Sequence, residues 1–238
     1  MSGHSKWHNI QKKKGLIDAK RGQVFTKLAK SITIAAKDGG GADMNFNFQL
    51  RVAVDAAKSA NMPKDNIERA IKRGTGEGSD GGVIEEIIYE GYGPGGSALL
   101  IQCLTDNRNR SNAEVRTVMK KNGGNPGEQG SVMWMFDQKG VIVINATIDD
   151  ALELALIDAG AEDIKQIDEV VEVVTEVREL KNVLDVIKGL ELNVEGAGLE
   201  YLAKETLVLN EEDRGKLEEL VELLDELDDV DTVFTNEA

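Results

Sequence analysis

Residues 140 to 208 read as strand, helix, strand, strand, helix and strand, an order that few architectures accept. The strands are "GVIVIN", "DIKQID", "VVEVVTEV" and a last extended segment ending "ETLVL", and the helices are "DDALELALIDA" and "ELKNVLDVIKG". Short apolar, β-branched runs bounded by polar turns mark the strands, and apolar residues three and four apart mark the helices. The series is the split β-α-β-β-α-β unit of ferredoxin-like folds. Before it, "VIEEIIYE" and "SALLIQCLT" form a hairpin across Gly-Pro-Gly-Gly, followed by the helix "SNAEVRTVMKKN", a glycine-rich loop and the strand "SVMWMFD". After it come one helix, "EEDRGKLEELVELLDELDD", and one short strand, "DTVFTN". That terminal pair has no sheet of its own, so it returns to the earlier one. Residues 139–208 are then an insertion within a split α/β domain made of 83–138 and 209–238.

The first 75 residues lack strand patterning. Phe25, Leu28, Ile32 and Ala36 recur at helical spacing, and Gly39, Gly40 and Gly41 end that helix. A second helix carries Leu50, Val54 and Ala57 on one stripe, and a third starts near Pro63 and runs through Ile67, Ala70 and Ile71 to Gly74. The expected fold class is therefore α+β with three domains: a three-helix bundle over 1–75 and two ferredoxin-like α/β domains, one inserted in the other.

Charge divides the chain at the same place. Residues 1–75 hold 15 Lys and Arg against 6 Asp and Glu, while the remainder holds 13 against 37. The basic end suits a polyanion; the acidic end keeps the chain in solution, meets a basic partner, or attracts the basic end itself. There is no run of about 18 apolar residues, so no membrane span is expected. The early charges His4, Lys6 and Lys12 replace the apolar core of a signal peptide. A single cysteine, Cys103, excludes an internal disulfide and fits a reducing, cytoplasmic setting.

Catalytic and cofactor chemistry finds little support. Gly91, Gly93 and Gly96 have the spacing of a dinucleotide loop, as do Gly76, Gly78 and Gly81. A working loop needs a strand before it and a helix after it, so that helix amides meet the pyrophosphate. The first set joins two strands and the second follows a helix, so these glycines serve turns. His4 and His8 lack a third ligand for zinc, no phosphate-loop Gly-Lys-Ser/Thr occurs, and Cys103 sits in an apolar strand. The expectation is no enzyme, no cofactor, no metal and no small-molecule substrate.

The stretch "HSKWHNIQKKKGLIDAKRG" carries the polyanion reading. Lys6, Lys12, Lys13, Lys14, Lys20 and Arg21 surround Trp7, and Lys27 and Lys30 continue the charge along the first helix, on the side away from its apolar stripe. Such charges bind a polyanion mainly by releasing its condensed counterions. Trp7 either stacks on an unpaired base or anchors the lysine stems. In "TDNRNRSNAE", Arg108 and Arg110 open a helix whose free amides already favour an anion. They suit a phosphate, or pair with the acidic tail.

"GHSKWHNIQKKK", "DAKRGQVFTKL", "NMPKDNIERAIKRGTG", "YEGYGPGG", "CLTDNRNR", "KNGGN" and "GSVMWMFDQKG" occur in that order. Together they resemble the YebC family, which includes the mitochondrial translational activator of cytochrome c oxidase subunit I. The resemblance spans nearly the whole chain and is densest over residues 3 to 140. It implies a cytoplasmic protein with a helical N-terminal domain and two α/β domains, described as a DNA-binding transcriptional regulator and without enzymatic activity. Members are also tied to translation, relieving ribosomes stalled on proline-rich stretches; the partner is then ribosomal RNA or tRNA instead of duplex DNA. This chain departs from the pattern at His8, at "QKKK" and at "NFNFQLR", which lacks a proline before the Leu-Arg pair, but it keeps the basic charge.

Overall fold

The computed structural model describes residues 17–77 and 82–238. An N-terminal helical region is followed by two β-sheet-containing domains. By compactness the chain forms two units, one reaching Phe136 and resuming over Ala203–Ala238, the other spanning Asp137–Leu202.

The helices are α1 (Ile17–Asp38), α2 (Phe48–Ser59) and α3 (Lys64–Gly74). Their shared core is Ile32, Ala35, Ala36, Leu50, Val54, Ala57, Met62, Ile67 and Ala70. Its small side chains bring the backbones close: a Cβ on Gly74 would lie 2.3 Å from the Thr33 carbonyl oxygen. Asn47, 1% exposed, joins two helix ends. Its Oδ1 caps α2 by accepting from Leu50 N at 2.9 Å, while its Nδ2 donates to the Ala35 and Gly41 carbonyls at 2.7 and 2.8 Å. Pro63 stands just before α3, where its missing N–H leaves no helical bond unmade.

The same unit holds a four-stranded sheet. Strands β1 (Glu85–Tyr92) and β2 (Ala98–Thr105) are antiparallel, and a single turn over Pro94–Gly96 joins them. Gly95 and Gly96 take φ of 67° and 80°, values that favour glycine, so the Gly-Pro-Gly-Gly run is a turn device. Strand β8 (Val230–Thr235) pairs with the free edge of β2, and the two-residue β3 (Asn125–Pro126) pairs with β1. Helices α4 (Arg108–Lys121) and α7 (Glu211–Asp225) pack on each other. They cover a core built from Leu99, Ile101, Cys103, Met119, Leu217, Leu220, Leu224 and Val233, and α1 packs against β2 and β8.

The second unit contains β4 (Phe136–Asn145), α5 (Asp150–Ala159), β5 (Ala161–Ile167), β6 (Val170–Thr175), α6 (Leu180–Gly189) and β7 (Asn193–Ala203), with sheet order β5-β6-β4-β7. Asp149 caps α5 by accepting from Leu152 N at 2.8 Å, and Gly160 ends it at φ 108°.

One expected strand is absent. "SVMWMFD" forms a short 3-10 turn over Met133–Met135, and β4 runs unbroken from Phe136 through the "GVIVIN" segment. The cause is Glu90, buried on β1, which accepts N–H bonds from Gly130 at 2.6 Å and from Val132 and Met133 at 2.8 Å. Amides committed to a carboxylate cannot enter a ladder.

Candidate nucleic-acid interface

Three of the charges that the sequence suggests for a polyanion, Lys27, Lys30 and Arg110, meet a different anion in the fold. Helix α7 ends at Asp225; Glu226 N and Leu227 N close onto the Glu222 and Leu224 carbonyls, but its own last turn contains no basic residue to face the remaining carbonyls. Helix α1 supplies the missing donors. Lys27 Nζ donates to the Asp225 carbonyl at 2.6 Å, Gln23 Nε2 to the Glu226 carbonyl at 2.6 Å, and Lys30 Nζ to the Asp228 carbonyl at 2.8 Å. A cation at the negative end of a helix dipole is favourable, so one helix caps another about 200 positions away.

Asp229, 2% exposed, lies at the centre. Its Oδ1 accepts from Lys30 Nζ at 2.6 Å. Its Oδ2 accepts from Arg110 Nη2 at 2.6 Å, Arg110 Nε at 3.0 Å and Thr105 Oγ1 at 3.0 Å. Burial raises the cost of its charge, but the Lys30 and Arg110 bonds outweigh that and hold the carboxyl below its ordinary range. Ser31 Oγ donates to Asp231 Oδ1 at 3.1 Å, and Leu104 N donates to the Asp229 carbonyl at 2.8 Å beside a bulge in β2. Three elements, α1, β2 and α4, thus converge on residues 225–231.

The predicted contact residues divide accordingly. Lys27, Lys30 and Arg110 are brought together around the C-terminal turn. Arg110 also pairs with Asp106 at 3.1 Å, yet its side chain keeps 45% of its surface in solvent. Arg108 is 69% exposed and pairs with Glu85 at 2.7 Å. Asn107 caps α4 by accepting from Asn109 N and Arg110 N, both at 3.1 Å, and so orients both arginines. Arg21 is exposed near the start of α1, its guanidinium 5.4 Å from the Phe25 ring centre. Lys6, Trp7, Lys12, Lys13, Lys14 and the Lys20 side chain lie outside the described residues.

Sequence reasoning missed Asp229, Gln23 and Thr105. Asp229 stands in "LDELDDVD", where one acid in a run offers no local sign that it is the buried one. Among the described residues no group of three or more His, Cys, Asp or Glu is arranged to hold a metal ion, and no helix is long and apolar enough to cross a membrane. Cys103 is buried beside β8, and burial pushes its thiol up to about 12.

Residues 5–77 match the TACO1/YebC protein N-terminal domain, and residues 84–237 match the TACO1/YebC second and third domain. A probable transcriptional regulatory protein of Roseiflexus castenholzii is 52% identical, over 99% of this chain and 94% of its own. A protein of the same description from Chloroflexus aurantiacus is 48% identical over 99% and 95%. The crystal structure of a conserved hypothetical protein, Aq1575 from Aquifex aeolicus, superposes with a TM-score of 0.86 at 42% identity, covering 93% of this chain and 92% of that one.

Proposed function

From a chain that belongs to the TACO1/YebC family, we propose a nucleic-acid-binding regulator of gene expression, acting as a DNA-binding transcriptional regulatory protein. The observation that carries this reading is the basic excess of residues 1–75 in an otherwise acidic chain. Lys6, Lys12, Lys13, Lys14, Lys20 and Arg21 are its phosphate contacts, and the exposed edges of Arg108 and Arg110 extend them. Lys27 and Lys30 act one step back, by fixing α1 to the C-terminal turn. The descriptions of the Roseiflexus and Chloroflexus relatives support the transcriptional form.

A second reading, a ribosome-associated translation factor that binds RNA and relieves stalling on proline-rich sequences, is favoured by Trp7. An indole among lysines suits an unpaired base better than a closed duplex. For the architecture we infer three domains, with the inserted one ferredoxin-like. The order β5-β6-β4-β7, with a helix after β4 and another after β6, supports this.

Co-sedimentation with ribosomes at near-physiological salt, with excess duplex DNA as competitor, separates the two functions. Retention on ribosomes despite the DNA selects translation; loss to the DNA selects transcription. Reversing charge at Lys12, Lys13 and Lys14 weakens binding and lowers its salt slope by up to about three, since each lost phosphate contact removes about one. An unchanged slope removes these lysines from the interface.

A further inference from the structure

The loop between β3 and β4 is held by a buried carboxylate, and it carries Trp134, which shares an acceptor with Tyr92 at the end of β1. Both Glu90 carboxylate oxygens are spent on its amides, and burial of that carboxyl, which opposes ionisation, is outweighed by the three N–H donors. Gly127 N also donates to the Glu90 carbonyl at 2.8 Å. Beneath the loop, Gly91 has no room for a side chain: a Cβ there would lie 2.6 Å from Met119 Cε and 2.7 Å from the Asn125 carbonyl oxygen.

The Ser131 carbonyl accepts from Tyr92 Oη at 3.2 Å and from Trp134 Nε1 at 3.1 Å. One oxygen therefore accepts from both side chains. Trp134 is nevertheless 66% exposed and Tyr92 38%. Tyrosine and tryptophan ordinarily bury the ring and leave the polar tip in water. Here both polar tips have a partner on the loop while the residues stay largely or partly in solvent, so ring surface is left uncovered. Cations stand on the adjoining helix: Arg116 sits 3.8 Å from Glu128 of the same loop, and Lys120 and Lys121 are exposed in the last turn of α4, which packs against β3. Glu128 is 92% exposed, so that pair is weak and Arg116 can exchange it for another anion.

We propose that Trp134 and Tyr92 form a stacking platform for an unpaired base of single-stranded nucleic acid, with Arg116, Lys120 and Lys121 meeting the flanking phosphates. This rests on the nucleic-acid reading and adds a second contact surface to it. Flat aromatic faces with nearby cations suit a base, which is flat and carries its charge on the adjoining backbone. Pre-organisation by Glu90 means that little ordering entropy is lost on binding.

Trp7→Phe leaves Trp134 as the sole tryptophan of the full chain, which is then titrated with fluorescein-labelled single-stranded oligouridine or with a labelled duplex. Anisotropy reports binding and indole emission reports stacking. Single strands quench Trp134 and duplex does not. Adding Trp134→Ala weakens single-strand binding roughly 5- to 150-fold and leaves duplex binding unchanged; Trp134→Phe restores most of the loss. Binding of single strands without quenching, or with equal affinity after Trp134→Ala, overturns the platform and leaves the general function standing. Failure of the unmodified chain to bind any nucleic acid overturns that function as well. Quenching by a proline-rich peptide and not by oligouridine assigns the rings to a protein partner and overturns the proposal.

Discussion

The loop at 127–133 and the turn at 225–231 each enclose a buried carboxylate, and they stabilise it by opposite means. Glu90 is satisfied by backbone amides from one short loop about 40 positions ahead. Asp229 is satisfied by Lys30, Arg110 and Thr105, side chains 199, 119 and 124 positions away. Both carboxyls lie below their ordinary range although burial opposes this. The amide cradle carries no formal charge, so salt and polyanions have little to compete for. The cationic cradle draws on the class of side chain that a nucleic acid also attracts. An acid can thus be buried to shape one loop, or buried to hold distant parts of a chain together.

Removing the second acid should have the larger effect. Asp229→Ala leaves Lys30 and Arg110 without the carboxylate they share, and loss of one partner from a buried pair costs about 3–5 kcal/mol. The lower end applies because Arg110 is half in solvent; urea unfolding should register it. A loss below about 1 kcal/mol, the range of an exposed pair, would mean that apolar packing alone holds the turn.

Glu90→Gln keeps the side-chain size but turns an NH2 toward an amide, which should cost about 1–3 kcal/mol. Native-state hydrogen exchange sharpens the contrast. Protection should fall at Gly130, Val132 and Met133 in this variant, and at β8 and the adjoining part of β2 in Asp229→Ala. Parallel losses in both variants would erase the distinction between local and long-range roles.

The pH response follows from the signs. Each lowered carboxyl contributes its full stabilisation above its ordinary value, and that contribution disappears as pH falls through the lowered folded value. Melting temperatures measured from about pH 6 down to about pH 3 should therefore fall more steeply for the unmodified chain than for Asp229→Asn. Equal slopes would place the acid sensitivity elsewhere. The smallest signal is chemical. Cys103 should resist thiol reagents at about pH 8, since its thiol is buried and held near 12. Asp229→Ala should speed its labelling because Cys103 pairs with Val230 across the β2–β8 ladder, whereas Glu90→Gln should not.

These two regions also mark where the sequence was legible. The inserted strand and helix order is written in local apolar spacing. The return of "DTVFTN" to the first sheet was expected from the lack of any other partner, and the structure pairs it with β2. The strand predicted at "SVMWMFD" failed because its amides bond a side chain some 40 residues earlier. Lys27 and Lys30 were placed correctly on the side of α1 away from the helical core, but that side is packed, because α1 also lies against β2 and β8. Local patterning shows which face is polar; it does not show whether a carboxylate 200 residues later will cover it.

The long-range pairing also sets an order of events during synthesis. Ala98 N donates to Asn236 Oδ1 across 138 positions, and β2 gains its second neighbour only when β8 has been made. At about 5–20 residues per second, that delay is on the order of ten seconds. Asp137–Leu202 emerges as continuous chain in the interval and has every strand of its own sheet to hand. Strand β2, buried along almost its whole length in the finished protein, meanwhile presents one open apolar edge to any other nascent strand. The insertion therefore acts as a timer: each residue added to it lengthens the period during which the first sheet is unfinished and exposed to mispairing.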